Sequence, residues 1–334
     1  MDWINIIQNT CKALTGVDAA YFALAAIGLN VQFGYTGLLN FGQAAFMACG
    51  AYGIGMTSKY FGIGMWWGIP IGMGFVIVLA LLVGIPTLRL RADYLAIVTI
   101  ALAEMVRLIV RSVRFKQYFG GSDGINGFSL QFRELSPFDP GVQYGIKPFQ
   151  YSGYTVWTLL VGWALVAIFA TLVYMLMRSP WGRVIKAIRE DEDAVRSLGK
   201  SVYSYKMQSL IIGGLIGMFS GVIFALDRGS VQPDNYSRDV TFYILTALVL
   251  GGVAKVSGSI VGSMLFWGIF VFSDNFLREL TKDGPLRIFG VTVMQKIQVG
   301  AINYMLIGVG LMLLMTFRPQ GIFGNRKEMA LDAR

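Results

Sequence analysis

The sequence contains no histidine and two cysteines, Cys11 and Cys49. A disulfide framework, a Cys/His zinc site and histidine acid–base chemistry are therefore unsupported. Cys49 lies in an apolar stretch and reads as a small packing residue. Charge is scarce as well, with Asp, Glu, Lys and Arg at 14 % of the chain. The opening "MDWINIIQNTCKALTGVDAAYF" has neither a basic segment before a short apolar core nor a cleavage site. It reads as an interfacial lead-in to a first span and not as a removable signal.

Apolar residues fill the space that charge leaves: 55 % of the chain is hydrophobic and the mean hydropathy is +0.60. Runs of about twenty apolar residues recur, the length that crosses a bilayer as helix. Backbone amides in hydrocarbon must bond internally, and the runs are too long and uniform for barrel strands, so a β-barrel is excluded. The expected fold is all-α: a single transmembrane domain over residues 1–334, a polytopic bundle of about nine spans with eight to ten possible. Hydropathy places them near 17–34, 36–58, 66–88, 93–113, 154–177, 207–227, 240–256, 258–277 and 298–317. The pairs 17–58 and 240–277 could each hide a broken or re-entrant segment. The formal charge of +9 sits in loops and flanks, where it serves topology and anionic membrane lipids and not nucleic acid.

Two long polar loops interrupt the series. Residues 114–153 form one, expected outside, and include the turn-rich "GGSDGINGF", read as either a surface loop or a contact for an external protein. Residues 178–206 form the other, and the density of Lys and Arg within it favours the cytoplasm. Inside the second lies "GRVIKAIREDEDAVRSLG", 182–199, in which eight of eighteen residues are charged. Val184, Ile188, Val195 and Leu198 recur at helical spacing and predict one helix over 183–199 with a modest apolar stripe. Lys186–Glu190, Arg189–Asp193 and Glu192–Arg196 stand at pairing distance along it. Such a helix does not span; it is either a solvated connector or a docking surface. Its end, Gly199-Lys200-Ser201, imitates a phosphate-binding loop. Ala194 occupies the position of the first glycine and no strand precedes it, so nucleotide binding is not expected here.

The stretch "RSPWGRVIKAIREDEDAVRSLG" from Arg178 resembles the coupling loop of the LivM-type permeases of branched-chain amino acid ABC importers. "GLNVQFGYTGLLNFGQAAFMACGAY" at 28–52, "LRLRADYLAIVTIALAEMVRL" at 88–108, "LVLGGVAKVSGSIVGS" at 248–263 and "FRPQGIFG" at 317–324 agree with it in order. Where related permeases often carry a Ser-Leu-Gly-His-like stretch, this chain reads Asn40-Phe41-Gly42-Gln43. The resemblance implies a non-enzymatic, multi-pass subunit of the bacterial inner membrane that imports branched-chain or other hydrophobic amino acids, with urea or short amides as the alternative and a secondary transporter or channel a further one. It implies a second homologous, LivH-like permease, two ATP-binding subunits and an external solute-binding protein. No cofactor would bind this chain, since ATP belongs to the partners. The coupling residues would be Arg183, Ala187, Glu190, Asp191, Ala194, Leu198 and Gly199.

Polar residues inside apolar spans mark interior faces or a solute path. Asn30, Gln32, Asn40 and Gln43 fall among the glycines of the first two segments. They are candidates either for interhelical packing or for the path. Thr99, Glu104 and Arg107 share the fourth span, with the two charges three apart on one face, either a structural ion pair or a solute contact. Gly251, Gly252, Gly258 and Gly262 interrupt the seventh and eighth segments much as glycines do the first pair, which suggests two halves built alike.

Overall fold

A computed structural model describes residues 2–89, 92–139, 141–145, 149–282, 286–288, 291–317 and 321–323. Arg318, Pro319, Gln320 and Gly324 of the carboxyl-terminal motif, and Leu90 and Arg91 of the 88–108 motif, lie outside the described residues. The protein is a polytopic helical bundle. Its helices are α1 (Trp3–Thr15), α2 (Val17–Leu29), α3 (Gln43–Met56), α4 (Gly68–Thr87) and α5 (Ala92–Arg111), followed by the short α6 (Lys116–Phe119) and α7 (Leu130–Glu134). Then come α8 (Gly153–Arg178), α9 (Pro180–Glu190), α10 (Glu192–Ser197), α11 (Val202–Arg228), α12 (Arg238–Gly251), α13 (Val256–Leu280) and α14 (Val299–Phe317).

Among the described residues, five helical runs are long and apolar enough to cross a membrane unaided: Trp3–Tyr35, Met65–Thr87, Gly153–Arg178, Val202–Arg228 and Val256–Leu280. About nine spans were expected, with 17–58 and 240–277 as pairs that could each hide a broken segment, and two of these segments fall short of a full span for physical reasons. The segment expected at 36–58 is not one continuous span: Gly37–Gly42 is not helical, and α3 begins at Gln43 and has 14 residues. The segment expected at 240–256 is α12, also 14 residues and ended by Gly252 at φ +117°. At 1.5 Å per residue each covers roughly 21 Å, well short of the ~30 Å hydrocarbon layer. The amino-terminal lead-in is helical and packs along α13: Trp3 meets Phe276 and Leu14 lies over Gly268. It is part of the bundle.

The centre is the antiparallel pair α2 and α11. Tyr21 touches Phe224, Gly28 meets Gly213 and Gly217, and Gln32 reaches Leu210. Both helices are buried along most of their length. Two hairpins flank this pair in inverted orientation. The α3–α4 hairpin crosses where a Cβ on Gly53 would stand 2.6 Å from the Gly68 carbonyl and 3.0 Å from Gly72 Cα. In the α12–α13 hairpin a Cβ on Gly251 would crowd the Gly258 carbonyl and stand 2.8 Å from Gly262 Cα. Backbones this close exclude every side chain, so the glycine clusters are helix crossings of the small-residue kind. The first turns of α3 and α12 meet inside the bundle, the Ala44 amide donating to Thr241 Oγ1 at 3.0 Å.

Residues 178–206 lie on one face, together with the turn at 252–255, which reaches Asn30. Residues 111–139, 141–145, 149–152 and 229–237 lie on the other, tied by the antiparallel pairing of Ile125–Asn126 with Ser230–Val231. Residues 321–323 return to the first face, with the amides of Ile322 and Phe323 donating to the carbonyls of Leu250 and Gly251.

Candidate functional site

After Leu29 the α2 backbone passes into a π-helical segment, Asn30–Tyr35. Gly34 leaves room beside this segment, because a Cβ there would collide with Asn30 Oδ1 and stand 2.8 Å from the Ala254 amide. Asn30 uses that space to fasten the 252–255 turn: it accepts from Ala254 N at 2.9 Å and donates to the Lys255 carbonyl and Ser259 Oγ, each at 3.0 Å. Extra-residue helical turns leave backbone groups displaced, and such segments gather at working sites.

Beyond Tyr35 the chain doubles back toward the interior. The Thr36 hydroxyl donates to the Val31 carbonyl at 2.8 Å and contacts Ser209 Oγ at 2.6 Å, and Leu38 N donates to the Gln32 carbonyl. Asn40 Nδ2 donates to Gln32 Oε1 at 2.6 Å, while Asn40 Oδ1 accepts from Gly42 N at 2.8 Å. Gln32 Nε2 in turn donates to the Leu210 carbonyl at 2.9 Å, and Gln43 Nε2 reaches the carbonyls of Ala25 and Gly213. Thr99 Oγ1 accepts from Phe41 N at 3.1 Å. Asn30, Gln32, Asn40, Gln43 and Thr99 are all buried and bonded. Unpaired polar groups at this depth would cost about 1–3 kcal/mol each, so the network acts as a lock that closes the α2–α3 break. The structure thus brings Asn40, Gln43 and Thr99 together, with Asn30 on the α13 side of the same break.

Glu104 and Arg107 lie elsewhere, near the face carrying 111–139 and 229–237. Arg107 donates from Nε to Glu104 Oε2 at 3.0 Å and from Nη1 to Asp234 Oδ1 at 2.6 Å. Arg111 also reaches Asp234, at 3.1 Å. The expected pair is therefore part of a cluster whose third member, Asp234, comes from the 229–237 segment that precedes α12. Spacing along one helix could not have shown it. Next to this cluster a cavity of about 560 Å³ opens among α2, α11, α12, α13 and α14. Its aromatic wall includes Phe22, Tyr243, Phe266 and Trp267, and its polar rim includes Arg228 and Asn235. The buried Trp267 Nε1 has no hydrogen-bond partner among the described residues. None of the predicted path residues lines this cavity.

The charged passage is two helices and not one. Asp191 adopts an extended backbone (φ −155°, ψ 106°) and its carboxylate accepts from the amides of Asp193 and Ala194, so it caps α10 and ends α9. That is N-cap chemistry winning over helix continuation. Ser179 with Pro180 starts α9 in the same way. Ile188, Val195 and Val202 form a small buried cluster with Val184, Ala187 and Tyr205 against it. Leu198, expected on this stripe, is instead 78 % exposed. Gly199 closes α10 at φ +75°, with Lys200 N donating to the Val195 carbonyl and Gly199 N to the Arg196 carbonyl, the αL termination glycine favours. Of the predicted coupling residues, Arg183, Glu190, Asp191, Ala194, Leu198 and Gly199 are exposed and Ala187 is half-buried.

Only one of the three expected charge pairs forms. Glu192 meets Arg196 at 3.4 Å and also takes Lys206. Lys186 lies over the Tyr35 ring instead of pairing with Glu190, and Asp193 pairs with Arg196 at 3.0 Å. Arg189 turns inward and donates to the Gly34 carbonyl at 2.7 Å.

A family model described as the permease component of the branched-chain amino acid transport system matches residues 15–316. The chain is 31 % identical over 311 residues to the high-affinity branched-chain amino acid transport permease LivM of Escherichia coli K12, covering 90 % of this chain and 67 % of the relative. It is 26 % identical to a probable LivM permease of Methanocaldococcus jannaschii, with 91 % of each covered. A more distant similarity, 24 % over 148 residues, links 38 % of the chain to 44 % of the autoinducer 2 import permease LsrC of Photorhabdus laumondii.

Proposed function

The chain belongs to the family of branched-chain amino acid transport permease components, a multi-pass cell-membrane protein working with other subunits, and we propose that it forms one half of the membrane pathway of an ATP-driven importer of branched-chain or other hydrophobic amino acids. A second homologous permease supplies the other half, two ATP-binding subunits hydrolyse ATP, and an external binding protein delivers the solute. The observation that carries this reading is the α9–α10 unit, whose apolar underside is sealed by Ile188, Val195 and Val202 while its outer side presents Leu198 and a dense set of charges. An exposed leucine rimmed by charges has the anatomy of a docking patch, apolar centre and polar edge. In this reading residues 178–206 face the cytoplasm and residues 114–153 the outside.

The test is uptake of radiolabelled leucine, isoleucine and valine by cells that carry the importer's other subunits and lack this one. Restoring the chain should restore saturable, ATP-dependent uptake. Substituting Leu198→Asp should abolish uptake while membrane insertion persists. Uptake that survives removal of the ATP-binding subunits and follows a proton or sodium gradient would replace this reading with a secondary transporter.

A further inference from the structure

We infer that Arg189 is the positioning residue that links α9 to the α2–α3 break, so that displacing the charged helix moves the buried amide lock. The inference rests on the reading that α9–α10 meets an ATP-binding subunit, and it assigns the route by which that contact reaches the membrane interior.

The choice of partner by Arg189 is the first observation. Four acidic residues follow it in the sequence, Glu190 to Asp193, and a surface connector helix would satisfy the guanidinium with one of them. Asp193 and Glu192 instead take Arg196 and Lys206. Arg189 is half-buried, pairs with no carboxylate among the described residues, and donates to a backbone carbonyl 155 positions away. That carbonyl, on Gly34, stands in the last turn of the π-helical segment, where the final carbonyls of a helix lack partners and the dipole favours a cation. Hydrogen bonds from a charged donor are roughly twice as strong as neutral ones.

The surroundings fit one purpose. Lys186, one turn earlier, lies 5.7 Å from the centre of the Tyr35 ring, so a second cation of α9 grips the same segment. Gly37 sits at φ +73° with Arg189 Cγ 3.4 Å from where its Cβ would be, so the turn is shaped closely around the arginine stem. From Gly34 the connection to the lock is short. Thr36 holds Ser209, Leu38 holds the Gln32 backbone, and Asn40 joins Gln32 to the start of α3. A rigid helix joined through two cations to a discontinuous, amide-bonded segment has the parts of a two-position element.

The experiment uses the full importer, with its ATP-binding subunits and second permease, in liposomes supplied with binding protein and leucine. ATP hydrolysed per leucine transported is measured for wild type, Arg189→Ala, Arg189→Lys and Gly37→Ala. A Ser197→Cys background, at an exposed position beside the patch, reports by crosslinking whether the ATP-binding subunit still docks. Arg189→Ala should keep the crosslink and keep hydrolysis near wild type while uptake falls about tenfold, the scale of one lost charged hydrogen bond. ATP spent per leucine rises accordingly. Arg189→Lys, which can still donate to the Gly34 carbonyl, should recover part of the uptake, and Gly37→Ala should shift the ratio in the same direction as Arg189→Ala. An unchanged ratio in Arg189→Ala overturns the link. A parallel loss of crosslink, hydrolysis and uptake makes Arg189 a docking or folding residue and also overturns it. Failure of the Ser197→Cys crosslink in an importer that transports normally would overturn the docking reading first, and the link with it.

Discussion

The helices α3 and α12 have the same length, start inside the bundle, touch at their first turns and lean on glycine crossings. The segments that lead into them differ. Before α3, residues 36–42 are locked by Thr36, Asn40 and their buried amide partners and held from outside by Arg189. Before α12, residues 229–237 border the 560 Å³ cavity, and Ser237 caps the helix without a side-chain hydrogen bond. One architecture is thus closed on the α9 face and open on the other. Inverted repeats around a central site recur among transporters, and here the two linkers that enter the repeats are unequal.

Breaking the crossings should have the largest effect. A Cβ at Gly251 would overlap the Gly258 carbonyl, whereas one at Gly53 would come to 2.6 Å from the Gly68 carbonyl. Gly251→Ala should therefore lower folded yield in detergent more than Gly53→Ala, and both should exceed the ~1–3 kcal/mol usual for overpacking, since backbone and not a flexible side chain stands in the way. Melting curves of the two purified variants check this. Equal losses would mean the two hairpins relax alike and the halves are closer to equivalent than the distances show.

The linkers should separate next. Asn40→Ala strips a partner from Gln32 Oε1 and from the Gly42 amide, both buried, and should destabilise by about 1–3 kcal/mol. Asn235→Ala, at the cavity, removes no side-chain hydrogen bond found among the described residues and should stay within about 0.5 kcal/mol. Thermal unfolding of the pair measures the contrast, and a larger shift for Asn235 would place the lock at the wrong end.

Much of this was visible in the residues themselves. Long apolar runs implied helices because hydrocarbon leaves backbone amides no other partner. The polar cluster at 30–43 and the two glycine groups marked the breaks, with Asn40 and Gln43 falling where the chain re-enters helix. The length of the second and seventh segments was not legible, because hydropathy averages over residues 37–42 without sensing that they leave the helix. Asp191 looked like one more charge on a helix, yet its short carboxylate takes the amides of Asp193 and Ala194 and splits the passage. The inward turn of Arg189 was hidden for a different reason. Its partner is a backbone carbonyl, which leaves no complementary residue type to find. Asp234 escaped because it joins Arg107 only after the 229–237 segment folds back.

The smallest effect concerns that cluster, and it sharpens the comparison from the open side. Arg107 serves both Glu104 and Asp234, while Arg111 serves Asp234 as well. Removing the arginine leaves Glu104 without its cation, but removing Glu104 leaves Arg107 still paired. Arg107→Gln should therefore destabilise more than Glu104→Gln, an asymmetry absent from a simple two-residue pair. The carboxylates are 33 % and 65 % exposed, so water screens them and the coupling energy between Glu104 and Arg107 should be about 1 kcal/mol or less. A double-mutant cycle of Glu104→Gln and Arg107→Gln, read by thermal unfolding, measures it. Repeating the cycle with Asp234→Asn should raise the coupling, since Arg107 then depends on Glu104 alone. A coupling that stays the same would mean that Asp234 does not share the arginine, and that the 229–237 linker is held on the open side by something other than this charge cluster.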